Sequence, residues 1–253
     1  MKQALQQAVK WQLLLRNPAE GVAPPRPEEK ELGVLTVEQT ARLLEAAHGT
    51  RLHLPIMIAV ATGMRRGEVL GLRWQDVDLR NGSLSVRQSL QRTKTGLLFK
   101  APKTQKSRRA VALPRLIAEE LRRHEAAQRE QRQLLEDGYQ EHDLVVAQPG
   151  GTPFPPNAFS HAFTDLVAKS GLPRVSFHGL RHSHATHLLL EGVHVKIVSE
   201  RLGHFNVHIT LDTYSHVVPG MQEAAAVRVD AALRAALERP QEPPQEPPPK
   251  TGD

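Results

Sequence analysis

Apolar side chains recur every three or four residues through most of the chain, which is the spacing of one helical face. Leu5, Val9 and Leu13 repeat among glutamines and lysines, and they predict an amphipathic helix over residues 1–17. A capping box at Thr36 predicts the start of a second helix. Further helices are predicted at about 52–61, 65–71, 114–135, 156–169, 176–192, 193–202, around Tyr214, and at 222–238.

The middle of the chain has the shorter period that is typical of strands. Asn81-Gly82 is a tight-turn sequence, and strand-like segments follow at 83–87, 97–100 and 110–113. Residues 144–147 fit one more short strand. The pattern predicts a mainly α fold with a small antiparallel β-sheet, an α+β architecture.

Composition divides the chain into four parts. After the helix at 1–17, residues 18–31 are rich in proline and glutamate and are typical of a semi-rigid linker. Residues 32–238 carry the remaining periodic pattern and form the main domain. Residues 239–253 are proline-rich and charged, which predicts a disordered tail.

The bulk charge narrows the possible partners. The chain has a net charge of +6, and its sequence pI is near 9.8. This favours a polyanion, nucleic acid before a membrane surface, although a merely basic soluble protein fits the same numbers. Cysteine is absent, which excludes disulfides, thiolate catalysis and cysteine-based zinc sites. Without a secretory signal or a long apolar run, we expect a cytoplasmic protein.

Several side chains in the last third could converge on one phosphate. His178 and Arg181 share a helical face, and Ser176 can cap that helix so that its N-terminus favours an anion. His204 follows a helix stop, and Tyr214 lies on the next helix. A phenol with a pKa of about 10 is mostly neutral at pH 7, so it needs a proton acceptor or a positive site to act as a nucleophile.

Each of these residues also has a purely structural interpretation. Val207, Leu211 and Tyr214 form an apolar stripe, which is typical of a core tyrosine with a satisfied hydroxyl. His204 alone fits a polar residue that ends a helix. Arg65 lies three residues before Glu68, so a surface ion pair is as natural as a ligand contact after Gly63.

A cluster of cations lies around the predicted hairpin. Lys103 is beside its turn, where it could bind phosphate, donate a proton to a departing oxygen, or simply be solvated. The neighbouring cations are candidates for DNA-backbone contacts. Arg108 and Arg109 suit this role better than chemistry, because adjacent strand residues face opposite ways. These candidates are Lys100, Lys106, Arg108 and Arg109.

The histidines at 178, 182, 184 and 187 raise the question of a metal site. On one helix they scatter around the axis, and HExxH is absent. We therefore predict no metal site and no cofactor, and we expect the last three of these histidines to pack or to lie on a polar face.

Five segments in order resemble the signature boxes of the tyrosine recombinase, or phage integrase, family. They are TGMRRGEVLGLRWQDVD, APKTQKSRRAVALP, FHGLRHSHATHLLLEG, ERLGH and ITLDTYSHV, and they cover the chain from about residue 35 to residue 218. The resemblance implies a recombinase catalytic domain that acts on double-stranded DNA. Every catalytic position of the family is filled by its preferred residue type.

The resemblance also implies a role for each of these positions. Arg65 and Arg181 would clamp the scissile phosphate, and Tyr214 would attack it to form a 3′-phosphotyrosyl intermediate. Lys103 would protonate the leaving 5′ oxygen. His178 would assist proton transfer, and His204 would stabilise the transition state, with no need for a metal ion or ATP.

Family members usually have a helical core-binding domain ahead of the catalytic domain. Residues 1–17 resemble only the last helix of that domain, so we expect an N-terminally short chain. The resemblance further implies a tetramer on DNA through exchange of the helix at 222–238, with accessory DNA-bending proteins and a location at the nucleoid. Cis packing of that helix remains the alternative.

Two other functions fit the same residues. One is a nicking-closing activity similar to that of a type IB topoisomerase, which uses related chemistry. The other is a DNA-binding regulator whose recombinase site is dormant, an interpretation that the short N-terminus favours and the filled catalytic positions oppose.

Overall fold

The computed structural model describes residues 1–23, 33–101, 108–214 and 221–237. The chain divides into two units, residues 1–32 and 33–253. In the first unit, helix α1 covers Lys2–Lys10 and ends well before the predicted boundary at Asn17. Gln12 takes a left-handed φ of 62°, which turns the backbone, and the Asn17 amide bonds back to the carbonyl of Lys2. A short single helix is marginal in water, so the shorter helix is physically reasonable.

The second unit holds nine α-helices and five strands among the described residues. The helices are α2 (Val37–Ala47), α3 (His53–Thr62), α4 (Arg66–Leu70), α5 (Arg115–Leu135), α6 (Pro156–Lys169), α7 (Phe177–Leu190), α8 (Val195–Leu202), α9 (Val207–Tyr214) and α10 (Met221–Leu237). The strands are β1 (Val77–Asp78), β2 (Ser83–Val86), β3 (Ser89–Thr93), β4 (Gly96–Lys100) and β5 (Arg109–Ala112). The mainly α fold with a small antiparallel β component is confirmed.

Helix α3 is apolar on every side and forms the centre of the unit. Seven of its ten residues are buried, and it packs against α7. Pro55 is tolerated because it lies in the first turn, where its missing N–H is not needed. The helix ends at Gly63, whose φ of +66° is the left-handed conformation that glycine adopts without a steric cost.

The helices that carry the candidate chemistry have the boundaries that their capping residues predict. The Ser176 hydroxyl accepts a hydrogen bond from the backbone N–H of Gly179, which caps α7. Gly203, with φ +69°, ends α8 and turns the chain towards His204. The Thr36 capping box with Gln39 is also present at the start of α2.

The predicted single sheet is in fact two separate sheets. Strand β2 pairs with β1 across the Asn81-Gly82 turn and, on its other edge, with β5. Strand β4, predicted to join this sheet, pairs instead with β3 in its own hairpin. Strand β3 was not predicted, because Ser89–Thr93 is mostly polar and has only one buried residue, Leu90.

Two smaller features complete the unit. The segment predicted as a strand at 144–147 makes only isolated bridges, between Arg73 and Leu144 and between Ala147 and Pro153. Among the described residues, no helix is both long enough and apolar enough to cross a bilayer.

Candidate active site

A pocket of about 400 Å³ lies where the start of α4, one face of α7, the turn after α8 and the end of α9 meet. It is lined by Arg65, His178, Arg181, His182, Gly203, His204, Phe205, Ile209, Thr213 and Tyr214. The structure thus brings together five of the six residues that the sequence suggested for catalysis. The sixth, Lys103, lies outside the described residues.

Arg181 lies at the floor of this pocket and is 2% exposed. Its Nη1 donates to the carbonyl of Gly63 at 2.7 Å, which fixes the guanidinium plane. Its Nη2 is buried and has no hydrogen-bond partner within the described part of the chain. Burial, with repulsion from Arg65, lowers the pKa of Arg181 to about 9, so the group stays cationic at neutral pH. A buried cation with an unused donor fits an anionic ligand.

Arg65 lines the same pocket as Arg181 and is held by one carboxylate. Its Nη1 and its backbone N–H both bond to Glu68, each at 2.9 Å, so the expected Arg65–Glu68 ion pair exists. However, Glu68 is buried, whereas the Arg65 side chain is 41% exposed. Burial opposes ionisation of Glu68, but Arg109 and Arg65 outweigh it, and the net effect lowers the pKa of Glu68. The buried carboxylate therefore fixes the position of Arg65, which a fully solvent-exposed ion pair would not do.

The predicted DNA-backbone contacts do not all face solvent. Arg108 and Lys100 are exposed, and Lys106 lies outside the described residues. The Arg109 side chain is 6% exposed, and its guanidinium bonds to Glu68 and to the carbonyl of Arg201. This differs from the expected DNA contact, because β5 directs Arg109 inwards, towards the buried carboxylate.

The two histidines proposed for catalysis flank the arginines. His178 is in the first turn of α7, and partial burial with the charges of Arg181 and Arg65 lowers its pKa. His204 follows Gly203, and its Nδ1 lies 2.7 Å from the hydroxyl of Thr210. Burial and the same two arginines lower the pKa of His204 to about 4. The lowered pKa values favour the uncharged form of both imidazole rings at neutral pH, in which each ring can still form hydrogen bonds.

Tyr214 combines the two interpretations that the sequence left open. The residue is 1% exposed and packs with Ala185, Leu189 and Leu202 in a small apolar cluster. Its hydroxyl, however, bonds within the pocket rather than to the backbone of the core. Burial raises the pKa of Tyr214 to about 12 despite the nearby charge of Arg181. The phenol is therefore protonated at neutral pH.

Among the titratable residues in the described lining of this pocket, sequence reasoning missed His182. His184 and His187 bond to the main-chain carbonyls of Val60 and Leu35, which is the packing role expected of them. His182 instead places its Nδ1 2.9 Å from the hydroxyl of Tyr214. The available signal was spacing, because His182 follows His178 by four residues and lies on the same helical face.

Within the described ranges, the histidines and carboxylates do not form a group of three or more that could hold a metal ion. The pocket's charge comes instead from Arg65 and Arg181, with Arg109 behind them and Glu68 as the buried counter-charge.

The family model described as "Phage integrase family" matches residues 33–220, which is well over half of the chain. This chain belongs to the phage integrase family. Its match includes every described residue of the pocket.

Two members of the family show how similar their sequences are to this chain. A XerC-like tyrosine recombinase of Caldanaerobacter subterraneus is 33% identical over 224 residues, covering 81% of this chain and 57% of the relative. The ICEBs1 integrase of Bacillus subtilis is 29% identical over 228 residues, covering 89% of this chain and 62% of the relative. The chain thus spans less than two thirds of the length of these relatives.

Solved structures give the same fold for this family member. The Tn1549 transposon integrase in complex with circular intermediate DNA superimposes with a TM-score of 0.75 at 22% identity, covering 90% of this chain and 76% of that one. The XerA recombinase superimposes with a TM-score of 0.59 at 24% identity, covering 86% of this chain and 74% of that one.

Proposed function

We propose that the chain is a site-specific DNA recombinase that cuts and rejoins DNA strands through a covalent 3′-phosphotyrosyl intermediate at Tyr214. The observation that carries this proposal is the buried Nη2 of Arg181, which has no hydrogen-bond partner among the described residues. It shares one pocket with Arg65, three histidines and the hydroxyl of Tyr214. A phosphodiester oxygen is an acceptor that suits this nitrogen, and the phenol in the same pocket supplies a nucleophile.

The proposed reaction is a transesterification at one phosphodiester. The Tyr214 oxygen bonds to phosphorus as the bond from phosphorus to the 5′ oxygen breaks, and Lys103 protonates the departing 5′ oxygen. The phenolic proton must pass to an acceptor in the pocket. Because the phosphotyrosyl bond replaces the phosphodiester bond, a 5′ hydroxyl of another strand reverses the step, and ATP is not needed.

The positive side chains stabilise the transition state. As the nucleophile attacks, negative charge grows on the two non-bridging oxygens of the phosphate. Arg65 and Arg181 neutralise that charge, and His178 and His204 add neutral donors. Since Glu68 and the Gly63 carbonyl already hold the guanidiniums in place, little reorganisation is needed during the reaction. On this account the arginines perform the charge neutralisation that a divalent metal performs in other phosphoryl-transfer enzymes.

The exposed cations at the β-strands are proposed to hold the DNA backbone. Arg108 and Lys100 are exposed at ends of β-strands or beside them, and Lys106 completes the set in the sequence. Such contacts release counterions, so binding should weaken steeply as salt rises. Arg109 is left out of this set because its guanidinium is buried against Glu68.

We also propose that α10 docks on a second copy of the chain when the protein assembles as a tetramer on DNA. Its apolar residues Val227, Val229 and Leu233 are each more than half exposed. A groove of about 890 Å³ between β5 and helices α8 and α9 has apolar lining at Val195 and Leu211, and it offers a place for such a helix. Accessory DNA-bending proteins would complete the assembly.

The biological setting proposed is recombination of a mobile genetic element at the bacterial nucleoid, in the cytoplasm. Support comes from the names of the relatives, which include an ICEBs1 integrase and the transposases of transposons Tn916 and Tn1545.

The direct test uses a nicked half-site duplex from the DNA that flanks the gene, on which a cleaved strand cannot be rejoined. The wild-type chain should form an adduct that survives SDS, whereas Tyr214→Phe should bind the duplex without forming one. Tyr139→Phe is the matched control, because the chain has only two tyrosines. Binding by the wild type without any adduct would instead indicate a DNA-binding protein with a dormant site.

A further inference from the structure

The hydroxyl of Tyr214 has one described hydrogen-bond partner, the imidazole of His182. The Tyr214 oxygen lies 2.9 Å from His182 Nδ1, and the two ring centroids are 5.8 Å apart. Both residues line the pocket that holds Arg181 and Arg65. From the sequence, His182 was expected to pack or to lie on a polar face, so this contact is a feature that the three-dimensional structure adds.

The direction of this hydrogen bond follows from the two groups. Burial raises the pKa of Tyr214 to about 12, so its oxygen carries a proton. Burial, with the neighbouring His178 and Arg181, lowers the pKa of His182 to about 4, so its ring is neutral. A neutral imidazole has one nitrogen that accepts, and the phenol is the more acidic of the two possible donors. The favoured arrangement is therefore the phenol donating to an unprotonated Nδ1.

We propose that His182 is the proton acceptor for the nucleophile: its Nδ1 takes the phenolic proton as the Tyr214 oxygen attacks phosphorus. The inference rests on the proposed recombinase function. The bond between oxygen and phosphorus forms, the bond from phosphorus to the 5′ oxygen breaks, and the phenolic proton moves to Nδ1. The imidazolium so formed lies beside the phosphate, whose developing negative charge offsets its repulsion from Arg181.

The other histidines of the pocket are less well placed for this step. The Nδ1 of His204 is occupied by the hydroxyl of Thr210 at 2.7 Å. The ring of His178 meets the ring of His182 edge to face at 4.9 Å, so it contacts the proposed acceptor. His178 and His204 are therefore free to bond the phosphate oxygens while His182 serves the nucleophile.

The charged and titratable groups around His182 come from each element of the pocket. They are His178 and Arg181 on its own helix, Tyr214 on α9, His204 in the turn after α8, and Arg65 at the start of α4. Among the described histidine rings of this set, only His182 forms a hydrogen bond to the Tyr214 hydroxyl, through its Nδ1.

The test measures single-turnover adduct formation on a half-site duplex with a 5′-bridging sulfur. A thiolate leaves without protonation, so the assay reports on the nucleophile's side of the reaction. His182→Ala removes the acceptor. His182→Asn keeps an oxygen near the position of Nδ1 but cannot take up a proton. His142→Asn, at an exposed histidine outside the pocket, is the matched control.

Both His182 variants should bind the duplex normally and form the adduct roughly 100-fold more slowly than the wild type, which is a typical contribution of a general base. The control variant should match the wild type. A rate within about threefold of the wild type for either His182 variant would overturn the proposal. In particular, His182→Asn at the full rate would show that His182 only positions Tyr214. A wild-type chain that forms no adduct would overturn the proposed function itself, and this inference with it.

A measurement on the unaltered chain does not depend on how the variants fold. Nitrogen-15 NMR of labelled histidine should show His182 with its proton on Nε2 and an unprotonated Nδ1 at pH 7. Finding the proton on Nδ1 would overturn the proposal, because His182 would then donate to Tyr214 rather than accept from it.

Discussion

Arg109 on β5 and Glu68 on α4 form a buried ion pair, with Arg109 Nη2 2.9 Å from Glu68 Oε2. The other carboxylate oxygen of Glu68 bonds to Nη1 of Arg65, and Arg109 also bonds to the carbonyl of Arg201 at the end of α8. One carboxylate thus links the sheet, the start of α4 and, through Arg109, the turn that carries His204. The alignment of the pocket therefore depends on two residues outside its lining, Glu68 and Arg109.

Arg109→Ala should destabilise the fold by about 3 kcal/mol, because it leaves the carboxylate of Glu68 buried with a single cationic partner. Adduct formation should fall as well, since Arg65 loses its orientation. Urea denaturation and the half-site assay measure the two effects. Arg108→Ala is the control: its side chain is exposed, so stability should stay within about 0.5 kcal/mol of the wild type while DNA binding weakens.

Gly63→Ala should disturb both packing and Arg181. A Cβ at this position would lie 2.6 Å from Leu202 and 2.7 Å from His184, and the backbone has a φ of +66°. The carbonyl of Gly63 also accepts from Arg181, so any shift moves a proposed phosphate clamp. We expect a loss of about 2–3 kcal/mol in the free energy of unfolding.

A second glycine separates backbone strain from crowding in that experiment. Gly49 has a similar φ of +72°, but nothing lies within 4 Å of a Cβ built there. Gly49→Ala should therefore cost about 1 kcal/mol and leave adduct formation unchanged. Equal losses at Gly49 and Gly63 would show that the contacts with Leu202 and His184 do not matter.

His184 should make the fold sensitive to mild acid. Its Nδ1 bonds to the carbonyl of Val60 and its Nε2 accepts from Arg201, while burial and the charge of Arg201 lower its pKa to about 4. Because the folded pKa lies below the unfolded value of about 6.5, the neutral ring stabilises the fold above pH 6.5, and this contribution is lost as pH falls towards 4. The effect is roughly 3 kcal/mol.

Urea denaturation of the wild type at pH 7 and pH 4.5 measures that loss. His184→Gln removes the titrating group, so its stability should be lower at pH 7 and should fall less between the two values. An unchanged pH dependence in this variant would assign the acid sensitivity to other groups, such as His182 or His204, whose pKa values are also lowered to about 4.

Lys103→Ala tests the proposed general acid. On an ordinary phosphodiester this variant should form the adduct roughly 100-fold more slowly, and on a duplex with a 5′-bridging sulfur it should recover nearly the wild-type rate. Lys100→Ala serves as the comparison, because a lysine that only holds the backbone should be impaired equally on both substrates. Failure of the sulfur substrate to rescue Lys103→Ala would exclude the acid role.

The local signals in the sequence predicted most of the helices. Capping groups at Thr36 and Ser176 and the helix stop at Gly203 depend on nearest neighbours, and all three are present. Strand β3 was missed because Ser89–Thr93 is mostly polar. A single sheet was expected instead of two because the pairing of β2 with β5 depends on residues far apart in sequence.

The candidate site divides in the same way. The residue types and their order in the sequence identified Arg65, Arg181 and Tyr214 as candidates, but they could not show which side chains are in contact. The inward turn of Arg109 and the contact of His182 with Tyr214 are tertiary contacts. Spacing along α7 offered a hint for His182, because it shares a face with His178. The tertiary packing of the Tyr214 side chain on α7 is what brings its hydroxyl to that ring.

The most direct test of the central claim locates the covalent bond. After the wild-type chain reacts with half-site DNA, nuclease and protease digestion followed by mass spectrometry should find a 3′-linked nucleotide on the peptide that contains Tyr214. Tyr139, the other tyrosine, lies under the guanidinium of Arg132 and outside the pocket, and its peptide should carry no nucleotide. A nucleotide on Tyr139, or on any residue other than Tyr214, would contradict the account.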